Sequence, residues 1–485
     1  MTPATSLVCT GCGAVVDGPL PFRCPAADGD VRDHVLARAR PLVEVAVTDD
    51  DPHPFVRFRR LSHSWQLAQS LGLGDSDYVA LVRDLDRAVA AVDGQGFAIT
   101  PYLAAPKVAK TLGLAGDGLW IKDETGNVAG SHKARHLFGL ALSLAVAEHA
   151  GLKGSAEAAR PLAIASCGNA ALAAAVVARA AKRSLRVFVP PWADAAVIAQ
   201  LTALGARIET CARLAVCDES RLLEGDPLGD PCHHRFREAV KAGALPFSVQ
   251  GSDNGLAIDG GMTLAFELAE QGVGAPVSRL LIQVGGGALA SSVIQGLGWA
   301  RDLRLFGRLP AIHAVQSAGG FPLVRAWRRV VRSLLKESGG ALLPADDLAT
   351  DVEAARADAM AAQWLAANTA PAARERAIHE AAGGRSRFMW PWESEPVSAA
   401  SGILDDETYD WLAVVGGMLM TGGSPIVASE SNILEAYCDG RAAGIHASAT
   451  GTAGLAGAMT LAQAGLLGAH ERIAVLFTGV DRCPE

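Results

Sequence analysis

An alternation of strand-like and helix-like segments between residues 161 and 209 is the feature that most restricts how this chain can fold. Each short apolar run is followed by an alanine-rich helical pattern and then by another apolar run. Strands joined through helices run parallel in one sheet, with the helices packed on its faces. The predicted elements are strands at Pro161–Ala165, Leu185–Val189 and Ala206–Glu209 and helices at Ala170–Ala181 and Ala193–Leu204. We therefore predict an α/β fold with mostly parallel sheets wrapped by helices.

The composition agrees with this fold class. Half of the 485 residues are hydrophobic, only 5% are aromatic, and 52 are glycine. This balance is more typical of alternating strands and helices than of an all-β sandwich. A chain of this length predicts two or three domains, because single domains usually have about 100–200 residues.

Charge and hydropathy argue against two classes of partner. The net charge is -8 and no basic tract is present, so nucleic acid is not an expected partner. The first residues lack the pattern of a signal peptide, and Ala170–Ala181 is too short to span a membrane. The nine cysteines follow no regular framework and indicate reduced thiols. We expect a soluble, cytoplasmic protein with no membrane partner.

A second strand–helix junction contains three consecutive glycines. The predicted strand Leu280–Val284 leads into Gly285–Leu289, and a predicted helix continues over Ala290–Trp299. Glycines at such a junction let several backbone N–H groups converge on an anion at the start of the helix. The run lacks the Gly-x-Gly-x-x-Gly spacing of a dinucleotide site, which argues against a nicotinamide cofactor.

Lys133 lies where a loop becomes a helix. It follows the apolar run Gly118–Ile121 and the segment Lys122–His132, and it precedes a helical pattern over His136–Ala147. A positively charged ammonium group is disfavoured at a helix N-terminus. A lysine at this position is explained if it is joined to an aldehyde as a Schiff base. The alternative interpretation of this residue by itself is a solvated surface lysine.

Further elements follow from local patterns. The last strand, Ile473–Phe477, ends at Thr478, and open α/β sheets bind ligands at the carboxyl ends of their strands. Pro101 predicts the start of a helix through Lys110. Residues 322–380 predict helices added to the core, and Ala449–Gly457 predicts a closely packed segment of small residues. Phe388–Trp392 is an apolar cluster for which we predict core packing, with a lid or a dimer contact as the alternatives.

Three motifs occur in one order along the chain. They are Gly-Ser-His-Lys-Ala-Arg at 130–135, Ser-Cys-Gly-Asn-Ala-Ala at 166–171 and Val-Gly-Gly-Gly-Ala-Leu at 284–289. Together they resemble the fold-type II pyridoxal-phosphate enzymes, the family of threonine synthase, the threonine and serine ammonia-lyases and the tryptophan synthase β chain. The resemblance covers residues 95–320 and 425–482. It implies two open, mostly parallel twisted sheets, with pyridoxal 5'-phosphate in the cleft between two subdomains.

The resemblance also implies a role for each matching residue. Lys133 is the expected catalytic residue, which forms the Schiff base and carries the α-proton. A neutral hydroxyl at the pyridine nitrogen suits elimination or replacement at Cβ better than transamination. Asn169 is expected to hydrogen-bond the phenolic oxygen of the cofactor, and Thr478 to face its pyridine nitrogen. The expected ligands of the cofactor phosphate are Gly285, Gly286, Gly287, Ala288 and Leu289. The substrate carboxylate is expected to bind Ser166, Cys167, Gly168 and Asn169.

The resemblance implies a lyase or synthase that performs elimination or replacement on a small amino acid with a leaving group at Cβ or Cγ. The Cys-x-x-Cys segment and Phe477-Thr478-Gly479 are similar to threonine synthase. The motif around Lys133 lacks the Thr and Asp typical of that enzyme, and His132 is similar to the tryptophan synthase β chain. The alternatives are a threonine or serine ammonia-lyase, another β-substitution enzyme, or a non-catalytic cofactor-binding homologue. A homodimer is expected.

The amino-terminal cysteines resemble part of a zinc knuckle. Cys9 and Cys12 form a Cys-x-x-Cys pair and Cys24 is a third candidate ligand. Structural zinc sites have four ligands, and no cysteine follows Cys24 at the usual spacing. Asp28 and His34 are candidates for the fourth ligand, and a knuckle that has lost its metal is the alternative.

These features predict how the chain is divided. Residues 1–40 form an amino-terminal segment, 41–135 and 246–485 a large cofactor-binding subdomain, and 136–245 a small subdomain with the Ser-x-Gly-Asn turn. Residues 322–400 are predicted to be a helical insertion in the large subdomain.

Overall fold

The computed structural model describes residues 6–27, 32–38, 49–152, 160–212, 230–305, 307–340 and 344–482. Within these ranges the strands form three sheets. The strands are β1 Leu7–Cys9, β2 Val15–Val16, β3 Leu36–Arg38, β4 Tyr102–Ala104, β5 Leu119–Asp123, β6 Leu162–Ala165, β7 Leu185–Val189, β8 Arg207–Thr210, β9 Leu245–Pro246, β10 Arg279–Gln283, β11 Ala311–Ser317, β12 Ile426–Ala428 and β13 Ile473–Phe477.

Helices cover the two larger sheets and fill the long connections between strands. Short 3₁₀ turns occur at Arg59–Leu61, Val128–Gly130, Arg385–Arg387 and Ser401–Ile403. The α-helices are α1 Pro54–Arg57, α2 His63–Ser70, α3 Asp75–Asp93, α4 Pro106–Thr111, α5 Lys133–His149, α6 Asn169–Ala180, α7 Ala195–Ala203, α8 Pro231–Lys241, α9 Gly255–Gln271, α10 Ala288–Asp302, α11 Pro322–Ser338, α12 Val352–Asn368, α13 Pro371–Ala382, α14 Trp411–Thr421, α15 Glu430–Ala442 and α16 Ala449–Gln463.

Two of the three sheets are mostly parallel. The six-stranded sheet has the order β12-β11-β10-β13-β5-β4, and only β4 runs antiparallel to its neighbour. The four-stranded sheet has the order β8-β7-β6-β9 and is wholly parallel. The third sheet, β2-β1-β3, is small and antiparallel. The predicted α/β fold with two mostly parallel sheets is confirmed.

Helix α16 explains the run of small residues near the carboxyl end of the chain. It packs against the six-stranded sheet, and a Cβ atom at Gly457 would lie 2.4 Å from a methyl carbon of Val315 in β11. Real carbon atoms do not approach this closely, so a larger side chain would push the helix off the sheet. The predicted close packing of Ala449–Gly457 is therefore present in the fold.

The helix predicted to begin at Pro101 is wrong in its first part. Residues Tyr102–Ala104 form β4, which pairs with β5 at the edge of the six-stranded sheet. The helix begins later, at Pro106, which occupies the first helical turn. Hydrogen bonds to a neighbouring strand thus outweigh the local tendency of a proline to start a helix, a tertiary effect that a propensity does not contain.

The predicted helical insertion contains α11, α12 and α13. The apolar cluster in its last part packs inward, since Met389 is fully buried and the Trp392 ring lies 4.7 Å from the Phe321 ring. The Arg325 guanidinium carbon lies 3.7 Å from the centre of the Trp390 ring, a cation–π contact. These contacts support the core-packing interpretation of Phe388–Trp392.

The strands between residues 136 and 245 belong to the four-stranded sheet, which β9 completes at Leu245–Pro246. The division of the chain into a large and a small subdomain stays a prediction. Among the helices of the described ranges, none combines the length and the apolar character that crossing a bilayer requires.

A fully buried network of charges joins β5, α5 and α9. The Arg135 guanidinium donates to Glu124 Oε2 over 2.8 Å and to Glu267 Oε1 over 2.6 Å. Lys122 Nζ lies 2.6 Å from Glu267 Oε2. The Thr100 hydroxyl donates to Glu124, and the Thr100 N–H donates to Glu267. Burial by itself would raise the pKa of Glu124, but the charge and hydrogen bonds of Arg135, together with Lys122 and Thr100, outweigh burial and lower it. Two positive and two negative groups therefore satisfy each other inside the core.

Replacing Arg135 with methionine tests how much the fold depends on this network. The Arg135→Met variant leaves two buried carboxylates with one cation, so we expect the free energy of unfolding to fall by about 3–5 kcal/mol. Urea denaturation followed by circular dichroism measures the change. The matched control is Arg301→Met, because Arg301 pairs with Asp302 at the surface and exposed pairs contribute about 0–1 kcal/mol. Equal effects of the two substitutions would contradict the assigned role.

Candidate active site

The carboxyl ends of β5, β6, β10 and β13 lead into segments that meet in space. The His132 N–H, after β5, donates to the Thr478 carbonyl, after β13, over 3.4 Å. Gln283, the last residue of β10, donates from Nε2 to Thr478 Oγ1 over 2.5 Å. A Cβ atom at Gly479 would lie 2.6 Å from Asn169 Nδ2, at the start of α6. The parallel strands thus bring residues from distant parts of the chain to one edge.

Lys133 is the first residue of α5. The loop before it turns sharply at Gly130, whose φ of 64° lies in the left-handed region. A Cβ atom at Gly130 would lie 2.4 Å from a methyl carbon of Val480, so glycine is needed for space as well as for conformation. Lys133 is partly exposed, whereas its neighbours His132 and Ala134 are buried. Lys133 is therefore the partly exposed residue of this otherwise buried helix start.

The surroundings of Lys133 favour its neutral amine. Burial lowers the pKa of Lys133, and the charges of Asp405 and Asp410 oppose that shift without reversing it. Burial also lowers the pKa of His132 and lowers that of His136 to about 3, so both imidazoles are neutral at pH 7. His132 Nδ1 donates to the Thr478 carbonyl over 3.2 Å. A neutral lysine amine is the form that adds to a carbonyl carbon.

The Ser166–Asn169 turn connects β6 to α6. Ser166 Oγ accepts a hydrogen bond from the Gly168 N–H over 3.4 Å, and Asn169 is the first residue of the helix. All four residues of the turn are partly exposed. Asn169 Oδ1 accepts from Arg482 Nη2 over 3.2 Å. Because Asn169 lies next to Gly479, the turn is close to the segment that accepts hydrogen bonds from His132.

The Gly285–Gly287 loop already holds an anion. The Gly286 N–H donates to the Asp405 carboxylate, and a Cβ atom at Gly285 would lie 2.2 Å from Asp405 Oδ2. Only a residue without a side chain allows an anionic oxygen to come this close to the backbone. Ala288 and Leu289, the next residues, form the buried first turn of α10. The loop therefore accommodates an anionic oxygen next to its backbone.

Thr478 contributes a neutral hydroxyl to the site. It is 3% exposed, and its Oγ1 atom accepts from Gln283. Because the Gln283 amide uses the oxygen as an acceptor, the hydroxyl hydrogen is available to donate to a ligand nitrogen.

Four residues of this region were missed by the sequence analysis: Asp405, Asp410, Gln283 and Arg482. Gln283 carried a usable signal, because it is the one polar residue in the predicted strand Leu280–Val284. Asp405 and Asp410 carried none, since they lie in an irregular segment beyond the helical insertion and reach the site only through the fold.

The predicted metal ligands form a separate cluster on the small antiparallel sheet. Ligand atoms of Cys9, Cys12 and Cys24 lie within 4.8 Å of one another and of a ligand atom of His34. The structure thus brings together the three predicted cysteines and one of the two candidate fourth ligands. The other candidate, Asp28, lies outside the described residues.

A family model matches residues 94–384 of the chain, and its description is pyridoxal-phosphate dependent enzyme. This match covers more than half of the sequence and includes Lys133, the Ser166–Asn169 turn and the Gly285–Gly287 loop. Among curated protein sequences, none is significantly similar to this chain.

Several solved structures have a similar fold at low sequence identity. Maize serine racemase is 16% identical, with 83% of this chain and 94% of that chain covered and a TM-score of 0.53. The processed form of threonine deaminase isoform 2 from Solanum lycopersicum is 15% identical, with 84% and 90% covered and a TM-score of 0.52. Diaminopropionate ammonia lyase from Escherichia coli is 14% identical, with 92% and 95% covered and a TM-score of 0.52.

The residues present fit pyridoxal phosphate. Lys133 offers an amine whose pKa is lowered, the Gly285–Gly287 loop holds an anionic oxygen, and Thr478 has a hydroxyl hydrogen to donate. These three groups match the aldehyde, the phosphate and the pyridine nitrogen of that cofactor. The Asp405 carboxylate would have to move away first, because it and a phosphate oxygen cannot share the Gly286 N–H.

Asp410 makes the stability of the protein without cofactor depend on pH. Burial raises the pKa of Asp410 to about 7, so between pH 4 and 7 the folded state holds a proton that the unfolded state has lost. The stability contribution is present at low pH and is lost as the pH rises through this window. We therefore compare the free energy of unfolding of Asp410→Asn with that of the wild type at each pH. This difference should change by about 2–4 kcal/mol in favour of the variant between pH 4 and pH 8.

Urea denaturation at several pH values measures this difference. The control is Asp77→Asn, which removes an exposed carboxylate on α3 and should follow the wild-type pH dependence. If the free energy of unfolding depends on pH in the same way in the wild type and in Asp410→Asn, then Asp410 is ionised in the folded state over the whole pH range.

Proposed function

Because the chain belongs to the family of pyridoxal-phosphate-dependent enzymes, we propose that it is a lyase or synthase acting on a small amino acid. The proposed reaction is elimination or replacement of a leaving group at Cβ or Cγ. The observation that carries the proposal is Lys133, a partly exposed lysine at a helix start whose pKa is lowered by burial. The family match also confirms the resemblance inferred from the three motifs.

Lys133 is proposed to hold the cofactor and to move a proton. Pyridoxal phosphate supplies an aldehyde for covalent attachment and a ring that accepts electrons from the substrate. Once Lys133 Nζ is released by the substrate, its neutral amine is the base that removes the proton from Cα. The same atom returns that proton to the product or passes it to the leaving group.

Thr478 supports elimination over transamination. Its hydroxyl donates a hydrogen bond to the pyridine nitrogen without adding a formal charge, whereas an aspartate would keep that nitrogen protonated. A neutral ring withdraws electrons less strongly, so negative charge is directed towards expulsion of a β-substituent. The hydrogen bond from Gln283 to Thr478 Oγ1 holds the hydroxyl in this orientation.

The Ser166–Asn169 turn is proposed to bind the substrate carboxylate. It precedes α6, and the unpaired N–H groups at a helix start attract anions. The partial exposure of all four turn residues leaves these groups accessible to a substrate. Asn169, already oriented by Arg482, is proposed to contact the phenolic oxygen of the cofactor.

The proposal includes a reaction like that of threonine synthase. Two positions of the Lys133 motif differ from the pattern typical of that enzyme, Ala129 in place of Thr and Ala134 in place of Asp. Ala134 is wholly buried and Ala129 is 6% exposed. A change at Ala134 therefore acts through the packing of α5 and not through a direct contact with substrate.

A second candidate is an ammonia-lyase acting on a diamino acid. The observation that favours it is the Asp405 carboxylate, which acts electrostatically on both Lys133 and Cys167. A carboxylate in this position would attract a cationic amino group on a substrate side chain. Diaminopropionate ammonia lyase is one of the proteins with a similar fold.

A homodimer, a cytoplasmic location and the division into subdomains at residues 136–245 stay predictions of this proposal. Turnover of L-serine, L-threonine, O-phosphohomoserine and 2,3-diaminopropionate separates the candidate reactions through release of ketoacid, phosphate or ammonia. Appearance of D-amino acid without release of a leaving group would instead identify a racemase. Absence of any turnover in the cofactor-loaded protein would favour a non-catalytic homologue.

The role of Lys133 is tested by its replacement with alanine. Purified wild-type protein incubated with pyridoxal phosphate should keep a visible absorbance band after gel filtration, and Lys133→Ala should lose it together with all turnover. Lys107→Ala, which removes an exposed lysine on α4, should behave like wild type. A folded wild-type protein that stays colourless after this treatment would refute the proposal.

The displacement of Asp405 by phosphate is tested with Asp405→Asn. Burial raises the pKa of Asp405 to about 6, so at pH 8 its carboxylate is charged and repels the cofactor phosphate. The neutral amide removes this repulsion, and we expect the dissociation constant of pyridoxal phosphate at pH 8 to fall roughly 3- to 30-fold. Fluorescence titration measures it, with Asp77→Asn as the surface control. Weaker binding by Asp405→Asn would show that the carboxylate supports the cofactor.

A further inference from the structure

Four potential metal ligands face one point at the edge of the small antiparallel sheet. Cys9 ends β1, Cys12 and Cys24 lie in turns, and His34 precedes β3. One ligand atom from each lies within 4.8 Å of the others. Cys9, Cys24 and His34 are buried, so the convergence is not a surface coincidence. No step proposed for the active site uses any of these residues.

The distances match a tetrahedral zinc site. Cys12 Sγ and Cys24 Sγ are 3.7 Å apart, and Cys9 Sγ and His34 Nδ1 are 3.4 Å apart. With Zn–S bonds of about 2.3 Å and Zn–N bonds of about 2.0–2.1 Å, a tetrahedron requires S···S of about 3.8 Å and S···N of about 3.5 Å. Both separations therefore agree with a single ion at the centre of the four atoms.

The backbone around Cys9 and Cys12 forms a turn suited to holding metal. The Gly13 N–H donates to the Cys9 carbonyl over 2.9 Å, and Gly13 has a φ of 74° that allows the chain to reverse. Backbone N–H groups of Gly11 and Cys12 face the Cys9 sulfur, and that of Ala14 faces the Cys12 sulfur. Such hydrogen bonds stabilise negative charge on thiolate ligands.

Two metal-free interpretations explain the cluster less well. The Cys12–Cys24 sulfur separation of 3.7 Å is far longer than a disulfide bond of about 2.05 Å. Packing of thiols in an apolar core does not account for the His34 ring, whose Nδ1 atom points at the Cys9 sulfur. A polar nitrogen among three sulfurs is the ligand set of a structural zinc site.

We propose that Cys9, Cys12, Cys24 and His34 bind one structural zinc ion. Each thiol releases its proton to solvent when the ion binds, and neutral His34 coordinates through Nδ1, so the site carries a net charge of about -1. Four protein ligands leave no open position, which is the arrangement of structural rather than catalytic zinc.

The ion would join this sheet to the rest of the protein. Arg38 of β3 forms a buried ion pair with Asp259 of α9, and the Gly255 N–H donates to the Phe22 carbonyl over 2.9 Å. The Asp33 N–H donates to the Ala382 carbonyl at the end of α13 over 3.0 Å. Holding Cys24 and His34 together therefore keeps the docking residues on either side of them in place.

Metal analysis of the full-length protein tests the proposal directly. Protein expressed with zinc and passed through a desalting column should retain about one zinc per chain by mass spectrometry of the metal. Replacement of zinc by cobalt should produce the thiolate-to-cobalt charge-transfer band and the visible bands of a tetrahedral site. A folded wild-type protein with less than about a tenth of an equivalent of metal, and no tetrahedral cobalt spectrum, would overturn it.

Ligand variants identify which residues hold the ion. Cys12→Ser should reduce the zinc content at least fivefold, whereas Cys438→Ser, at an exposed cysteine on α15, should leave it unchanged. His34→Cys should retain zinc and shift the cobalt charge-transfer band, since a fourth thiolate replaces the imidazole. Full zinc retention by Cys12→Ser would contradict the assignment. Because the readout is metal content, the result does not depend on the proposed enzymatic activity.

Discussion

The buried charge network around Arg135 is the constraint on which the rest of the structure depends. Its members come from β5, α5 and α9, and each charge has an opposite partner within hydrogen-bonding distance. Unpaired charges in this position would be strongly destabilising, so these three elements can pack only in the arrangement that pairs them. Arg135 follows Lys133 by two residues, so the same network determines where α5 begins and where Lys133 lies.

Helix α9 extends this constraint to the amino-terminal sheet. Glu267, near its end, binds Arg135 and Lys122, while Asp259, near its start, binds Arg38 of β3. Between them, Gly260 approaches the Arg135 carbonyl so closely that an added Cβ atom would lie 2.1 Å away. One helix therefore connects the proposed zinc site to the helix that carries Lys133.

The candidate active site contains charges that only a ligand can balance well. The Gly285–Gly287 loop attracts an anion, Lys133 is pushed towards its neutral form, and burial raises the pKa of both Asp405 and Asp410. The Asp405 carboxylate contacts the Gly286 N–H. A site with shifted pKa values and replaceable contacts is typical of ligand binding, because the protein gives up some local stability to bind its cofactor.

The sequence by itself determined the fold class and much of the element pattern. The predicted bounds of β7 and β13 agree with the structure, and Lys133 was predicted at the start of its helix. These features come from runs of apolar residues and from glycine turns, which act within a few residues of the chain. Only the tertiary structure decided that Tyr102–Ala104 is a strand, that Asp405 reaches the glycine loop, and that His34 joins the three cysteines. Each of these depends on a partner far away in sequence, and a hydrogen bond or ion contact across such a distance leaves no local pattern.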